Sequence, residues 1–372
     1  MQFIDLKAQY SKLKTEIDAG IQRVLDHGQY IIGPEVVEFE NELSEFVGIK
    51  HCITCANGTD ALQMLYMAYG IGQGDAVFCP DVTFIATIEP ACMLGATPVF
   101  CDIDITTFNL CPKSLERQIK AVISDGKLTP KAVTAVDLLG NPADYRALNE
   151  ICKKYNLILI EDAAQSIGAS SGKMMCGAFG NSAIASFFPA KPLGCYGDGG
   201  AIFTNDDNLA DICMSLRVHG KGPKGKYHNV RVGVNSRLDT LQAAVLLPKL
   251  KALKEYETSA RQRAADYYNK AFSDRYTIQH IAESDTSIYA QYVLLAKSEA
   301  ERNLALDKLE KAGIPTMVYY PAAMHELEVF QGVEHYGETF ANSISYCQRT
   351  FSLPMHPYLT EADQQNVVEA IL

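Results

Sequence analysis

Leu157-Ile-Leu-Ile-Glu161-Asp162-Ala-Ala-Gln165 is an apolar run, without alternation, that stops at two acids. A strand with one wet face alternates polar and apolar residues. A strand apolar throughout is buried on both faces, as parallel strands covered by helices are. Residues 51–56, 76–80, 97–101, 132–138, 183–187 and 200–204 repeat the pattern, several of them rich in Val, Ile and Phe. Helix-like stretches lie between, at 59–69, 85–94, 113–123 and 143–155. This alternation predicts an α/β fold: a three-layer α/β/α domain around a mostly parallel seven-stranded sheet.

Beyond the sheet, residues 239–271 read as helix, with Pro248 predicting a kink or break. Residues 289–296 read as a half-buried strand and 299–312 as an amphipathic helix, with Ser298 as N-cap and Gly313 as its stop. Residues 316–320 read as another short strand. The expectation is a large domain over 1–250, including an N-terminal arm, and a smaller α+β domain over 251–372; 372 residues suit two domains.

Composition narrows the function. Hydrophobic residues make up 48% and charged ones 21%, an ordinary globular balance. The net charge of -11 repels polyphosphate, which argues against nucleic-acid binding. That average conceals a basic stretch at 217–231, with five Lys/Arg, two His and no acid. No basic segment followed by an apolar core opens the chain and no apolar run is long enough to span a bilayer, so a cytoplasmic protein without a membrane partner is expected. Eleven cysteines in such a chain read as reduced thiols. Cys52-Ile-Thr-Cys55 lies in a strand, where side chains three apart face opposite ways, and no second pair with that spacing exists, so no metal site is expected.

Four places could carry chemistry. In Ser186-Phe-Phe-Pro-Ala-Lys191-Pro-Leu-Gly-Cys-Tyr-Gly-Asp-Gly-Gly200 a strand enters a loop with one lysine, which is either an exposed loop residue or a nucleophile with a lowered pKa. Asp162, at the carboxyl end of its strand, is either an N-cap or a functional carboxylate at the sheet's ligand edge. Asn57-Gly58-Thr59, between strand and helix, is either a cap or an anion seat on free backbone N–H groups. Phe84 is either a core residue or a ring at the same edge. No P-loop and no G-x-G-x-x-G opening a helix is present, so neither P-loop nucleotide hydrolysis nor a Rossmann dehydrogenase is supported.

Together, and in this order, these pieces resemble the DegT/DnrJ/EryC1/StrS family, pyridoxal-phosphate (PLP)-dependent sugar aminotransferases of fold type I. The resemblance also rests on Asp5-Leu6 with Gln9-Tyr10, Gly33-Pro34, Gly233-Val-Asn235-Ser-Arg237-Leu-Asp-Thr-Leu-Gln242, Tyr320-Pro321, His325 and Ser352-Leu-Pro-Met-His-Pro-Tyr358. It implies that Lys191 forms the Schiff base with the cofactor aldehyde. Asp162 pairs with the pyridine nitrogen, Gln165 bonds the phenolic oxygen, and Phe84 stacks on the ring in a chain that has no Trp. Gly58, Thr59 and Ser186 hold the phosphate, and Asn235 reaches the cofactor of a second subunit, which requires a homodimer. Tyr320 and His325 line the sugar pocket.

The implied reaction moves an amino group from glutamate, leaving 2-oxoglutarate, to a nucleotide-linked keto-sugar. The Lys191–Gly200 stretch and the basic loop resemble the branch that aminates C3 of UDP-2-acetamido-2-deoxy-3-oxo-glucuronate for bacterial surface polysaccharide such as O-antigen. Arg217 and Arg231 are then the expected ligands of diphosphate or uronate carboxylate, since a guanidinium binds carboxylate bidentately. The alternatives are a dTDP-3-keto-6-deoxyhexose, a C4 keto-sugar, or a ligand sensor without catalysis.

Overall fold

The computed structural model describes residues 1–225 and 227–372. The apolar runs form one sheet of seven strands: β1 (His51–Cys55), β2 (Asp75–Pro80), β3 (Thr97–Cys101), β4 (Thr129–Val136), β5 (Ile158–Asp162), β6 (Ser182–Ser186) and β7 (Gly200–Thr204). Their order is β1-β7-β6-β5-β4-β2-β3. Every pairing is parallel except those of β7, which runs antiparallel to β1 and β6.

Both sheet faces are covered. Leu159 and Phe203 point into a core shared with α2 (Pro34–Val47), α5 (Pro112–Asp125), α6 (Tyr145–Tyr155) and α8 (Thr240–Ala252). Ile160 and Ile202, one residue away in each strand, point into the opposite core with α3 (Gly58–Ala68), α4 (Glu89–Met93) and α7 (Asp207–Leu216). Each such side chain contributes about 1.5–3 kcal/mol by leaving water, which explains why the strands carry no polar alternation. Cys52 and Cys55 fall in these two different cores, as their spacing predicts, and burial raises both thiol pKa values. Among the described residues no helix is long and apolar enough to cross a membrane.

Three local expectations are corrected. Residues 85–94 are not one helix but a 3-10 turn, Ile85–Thr87, followed by α4. The break falls at Ile88, just before Glu89-Pro90, and proline is accommodated in a helix's first turn where no N–H donor is needed. Pro248 does not break α8. Its missing N–H leaves the Ala244 carbonyl without a helical donor, and there α1 (Leu6–His27) crosses so closely that a Cβ on Gly20 would lie 3.0 Å from that oxygen. The irregularity comes later, as a π turn at Leu253–Glu257 leading into α9 (Thr258–Phe272). Finally, residues 316–320 form a single bridge, Met317 to Ser352, and not a strand.

The C-terminal part builds its own core. β8 (Tyr292–Leu295) pairs antiparallel with β9 (Thr350–Leu353) and with the short strand Thr277–Ile278. Tyr268 and Phe272 of α9, Leu309 of α10 (Glu299–Lys311), and Val367 and Ile371 at the end of the chain pack on this sheet. Ser298 caps α10 by accepting from Glu301 N, and Gly313 takes a positive φ just beyond it, as expected.

Candidate active site

Four chain segments meet at the carboxyl end of the parallel strands. The pleat first separates the two acids of β5. Glu161 points away from this edge and accepts hydrogen bonds from Gly177 N (2.6 Å) and Phe179 N (2.7 Å). Asp162 points toward it. Its Oδ2 accepts from Thr87 Oγ1 (2.9 Å) and its Oδ1 from Ala164 N (3.2 Å), while Thr87 Oγ1 shares a 2.7 Å hydrogen bond with Thr83 Oγ1. Burial raises the Asp162 pKa, against the pull of these hydrogen bonds and of the Lys191 charge. Thr87 carries no signal in sequence, because the broken helix that aims it at Asp162 is itself a tertiary feature.

Lys191 is half-buried in the loop after β6, and its ammonium makes no hydrogen bond or ion pair among the described residues. Burial lowers its pKa, with Asp162 pulling the other way. The side chain is thus a lysine whose neutral amine is made more accessible, facing a buried carboxylate.

The anion seat is formed as the turn predicts. Asn57 Oδ1 accepts from Asp60 N (2.8 Å) and caps α3, leaving the N–H groups of Gly58 and Thr59 without acceptors among the described residues. Ser186 closes this corner: a Cβ on Gly58 would lie 3.0 Å from the Ser186 Cβ. β7 presses on the same turn, where a Cβ on Gly200 would meet the Asn57 carbonyl carbon at 2.5 Å. Asn235 is exposed, beside Ser236, whose hydroxyl accepts from Ala56 N at the base of the turn (3.0 Å).

Gln165 is buried and oriented. Its Oε1 accepts from Leu139 N (2.6 Å), so its amide N–H groups are turned outward, one of them to Tyr320 Oη at 3.3 Å. Leu139 takes a positive φ of 64° to present that N–H, which the sequence did not signal. Phe84 is 58% exposed at the edge, its ring 6.5 Å from that of Tyr320 and tilted by 32°. His325 is held by Asp81, through Nδ1 to Oδ2 at 2.6 Å and its backbone N to Oδ1 at 2.9 Å, and stacks on Phe340 at 4.3 Å. Burial lowers the His325 pKa, but the bond to Asp81 outweighs it and the net direction is up.

The two expected loop arginines part company. Arg231 is exposed on a hairpin closed by Gly222 N to His228 O (2.7 Å) and Val230 N to Gly220 O (2.9 Å); Lys226 of this loop lies outside the described residues. Arg217 is not a loop residue. It ends α7 with its guanidinium inside the protein, bonded to Glu40 Oε1 (2.6 Å) and Thr54 O (2.9 Å). Its expected contact with substrate is therefore withdrawn: the side chain is 10% exposed, and its Nη1 is committed to Glu40 and Thr54 inside the protein.

These residues fit pyridoxal phosphate. Free amides at a helix N-terminus suit a phosphate. A buried carboxylate with a raised pKa suits a protonated ring nitrogen, an outward amide N–H suits a phenolic oxygen, and a half-buried amine suits an aldehyde.

Comparison with known proteins agrees. The model of the DegT/DnrJ/EryC1/StrS aminotransferase family matches residues 11–372. The UDP-2-acetamido-2-deoxy-3-oxo-D-glucuronate aminotransferase of Pseudomonas aeruginosa is 47% identical, over 100% of this chain and 99% of its own length. The crystal structure of a DegT DnrJ EryC1 StrS aminotransferase from Brucella abortus superposes with a TM-score of 0.97 at 47% identity, covering 100% of this chain and 98% of that one. S. venezuelae DesV, crystallised in complex with a ketimine intermediate, gives 0.92 at 33% identity, covering 100% and 97%.

Proposed function

This chain belongs to the DegT/DnrJ/EryC1/StrS aminotransferase family, and from that premise we propose that it transfers the amino group of glutamate to C3 of UDP-2-acetamido-2-deoxy-3-oxo-glucuronate, using PLP. The observation that carries the chemistry is the half-buried Lys191 within electrostatic reach of the buried Asp162, beside the free N–H groups of Gly58 and Thr59. The substrate reading draws on the full-length similarity to the Pseudomonas enzyme.

Bound in this site, the cofactor supplies an electron sink for the carbon that gains or loses its proton. The protein's part is position and proton transfer. Asp162, oriented by Thr87 and Ala164 N, holds the ring nitrogen protonated. Gln165, fixed by Leu139 N, donates to the phenolic oxygen. The N-terminus of α3 and Ser186 hold the phosphate, and Phe84 covers one ring face. Lys191 would hold the cofactor aldehyde, and its amine, when free, would take the α-proton and return it as general base and acid. Asn235 of the partner subunit completes the phosphate contacts in a homodimer. Arg231 on the basic hairpin meets the diphosphate or the uronate carboxylate, with Tyr320 and His325 on the sugar side. The raised pKa of His325 favours a cation facing an anionic substrate. We place this reaction in the cytoplasm, in the supply of amino sugars for a surface polysaccharide.

The test is spectroscopic. The enzyme is converted to its pyridoxamine form with glutamate and mixed with a panel of UDP- and dTDP-linked 3-keto and 4-keto sugars. Return of the lysine-linked coenzyme band with the UDP-3-keto-uronate is expected; return only with a dTDP-3-keto-6-deoxyhexose would replace the substrate reading. Arg231→Ala should weaken use of the uronate at least ~10-fold, the loss of one charge-assisted contact. Equal turnover by parent and variant removes Arg231 from the substrate site.

A further inference from the structure

The loop carrying Lys191 is held from outside as well as from within. Internally, Phe187 N donates to Gly199 O (2.7 Å), Lys191 N to Phe188 O (2.8 Å) and Cys195 N to Phe187 O (2.8 Å). Gly194 sits so deep in this turn that a Cβ would lie 2.5 Å from Pro189 O. Two side chains of α8, seven residues apart and so on one helix face, then reach the loop. Gln242 brackets Tyr196, accepting from its N–H at 2.8 Å and donating to its carbonyl at 3.3 Å. Lys249 Nζ donates to Gly194 O at 2.7 Å and lies 4.1 Å from the centre of the Tyr196 ring.

Lys249 is an unusual residue for this place. It is 1% exposed, and among the described residues its ammonium has no ion pair and one hydrogen bond. The carboxylate acting on it, Glu257 of the π turn, is already engaged by Gln9 Nε2 (3.0 Å) and Tyr358 Oη (2.5 Å). A buried ammonium with so little compensation costs stability, and an apolar side chain of similar length would pack there at no such cost. An apolar side chain could not hold the Gly194 carbonyl three residues from Lys191.

We propose that Lys249, together with Gln242, is a positioning residue that clamps the Lys191 loop onto α8 and so fixes the Lys191 amine against Asp162. The inference rests on the reading of Lys191 as the residue that binds the cofactor aldehyde.

The experiment compares the holoenzyme with Lys249→Met, which keeps length without a donor, Lys249→Gln, which restores a neutral donor, and Gln242→Ala. The readouts are the apparent pKa of the Lys191–cofactor linkage by absorbance titration, kcat and KM for glutamate, and the thermal midpoint. K249M is expected to keep or raise the midpoint, lose about 10-fold or more in kcat with KM within about twofold, and shift the linkage pKa by about half a unit or more. K249Q should recover most of both, and Q242A should shift both in the same direction as K249M. A wild-type linkage pKa and kcat in K249M, or no recovery in K249Q, overturns the clamp. If K249M does not fold, Q242A decides alone, and a wild-type linkage pKa there overturns it equally. Failure of borohydride to attach the cofactor to Lys191 in the parent enzyme would instead remove the reading beneath the clamp.

Discussion

Replacing Arg217 should damage stability and leave substrate binding alone, although it opens the most basic stretch of the chain. The perturbation is Arg217→Met, which keeps much of the stem and removes the guanidinium. Its Nη1 bonds Glu40 Oε1 at 2.6 Å and Thr54 O at 2.9 Å, and the side chains of Arg217 and Glu40 are 10% and 17% exposed. After substitution Glu40 keeps the Thr54 N–H (2.9 Å) and hydroxyl (2.7 Å), but its charge loses its cation and Thr54 O loses this side-chain donor. Removing one member of a buried pair costs about 3–5 kcal/mol. The two surviving hydrogen bonds place this case at the lower end, about 3 kcal/mol, or a fall of roughly 4 °C in the midpoint for a chain of this size. The assay is thermal unfolding followed by circular dichroism, with KM for the keto-sugar nucleotide measured in parallel on Arg217→Met and Arg231→Met. R217M should lower the midpoint and leave KM within about twofold; R231M should do the reverse. Adding Glu40→Gln to R217M should recover part of the loss, because it removes the stranded charge. A wild-type midpoint with a raised KM in R217M would refute the reasoning and restore Arg217 to the substrate site.

Three further outcomes are expected. Gly200→Ala places a Cβ against the Asn57 carbonyl carbon at 2.5 Å and Gly58 N at 2.8 Å, so the anion turn must move; equilibrium titration should show PLP binding at least ~10-fold weaker, and an unchanged Kd would contradict the turn's role. Thr87→Val removes the hydroxyl between Thr83 and Asp162; the glutamate half-reaction should slow by about 10-fold in a folded protein, and a change under twofold in stopped-flow absorbance would show that Asp162 orients itself. Burial lowers the Lys249 pKa to about 8 from 10.5, with Glu257 opposing and Cys195 and Tyr196 of the loop beside it. Below the folded value the lysine is charged in both folded and unfolded states, and the cost of burying it is fully present. Between about pH 8 and 10.5 the unfolded chain binds the extra proton, so the native state gains stability as pH rises. Denaturant midpoints should therefore show the parent gaining on K249M across that window, and parallel curves would place the pKa elsewhere.

Much of this molecule is legible from local pattern. The seven strands could be read because a strand buried on both faces must be apolar throughout, whatever surrounds it. Asp162 could be placed at the ligand edge because it ends such a strand, and Lys191 could be read as the one lysine of the loop that follows another. The turn at Asn57-Gly58-Thr59 could be read because capping and anion binding use the same few backbone N–H groups. The break before Glu89-Pro90 was missed because periodicity continues across it, and that break is what turns Thr87 toward Asp162.

What the sequence by itself determined is therefore the seven strands, several of the helices between them, and the edge of the sheet at which Asp162 stands, since hydrophobic period and turn chemistry act over a few residues. The tertiary structure decided what each charge is for. Glu161 and Asp162 are neighbours, yet one closes a buried turn and the other faces the site. Arg217 and Arg231 belong to one basic stretch, yet one is paired with Glu40 inside the protein, 177 positions away, and the other stands in water. Lys249 looks like a surface lysine on a helix until the Gly194 carbonyl is found above it. The free energy of a charge depends on its burial and on the partner within hydrogen-bond reach, and both are properties of chain segments brought together only by the fold.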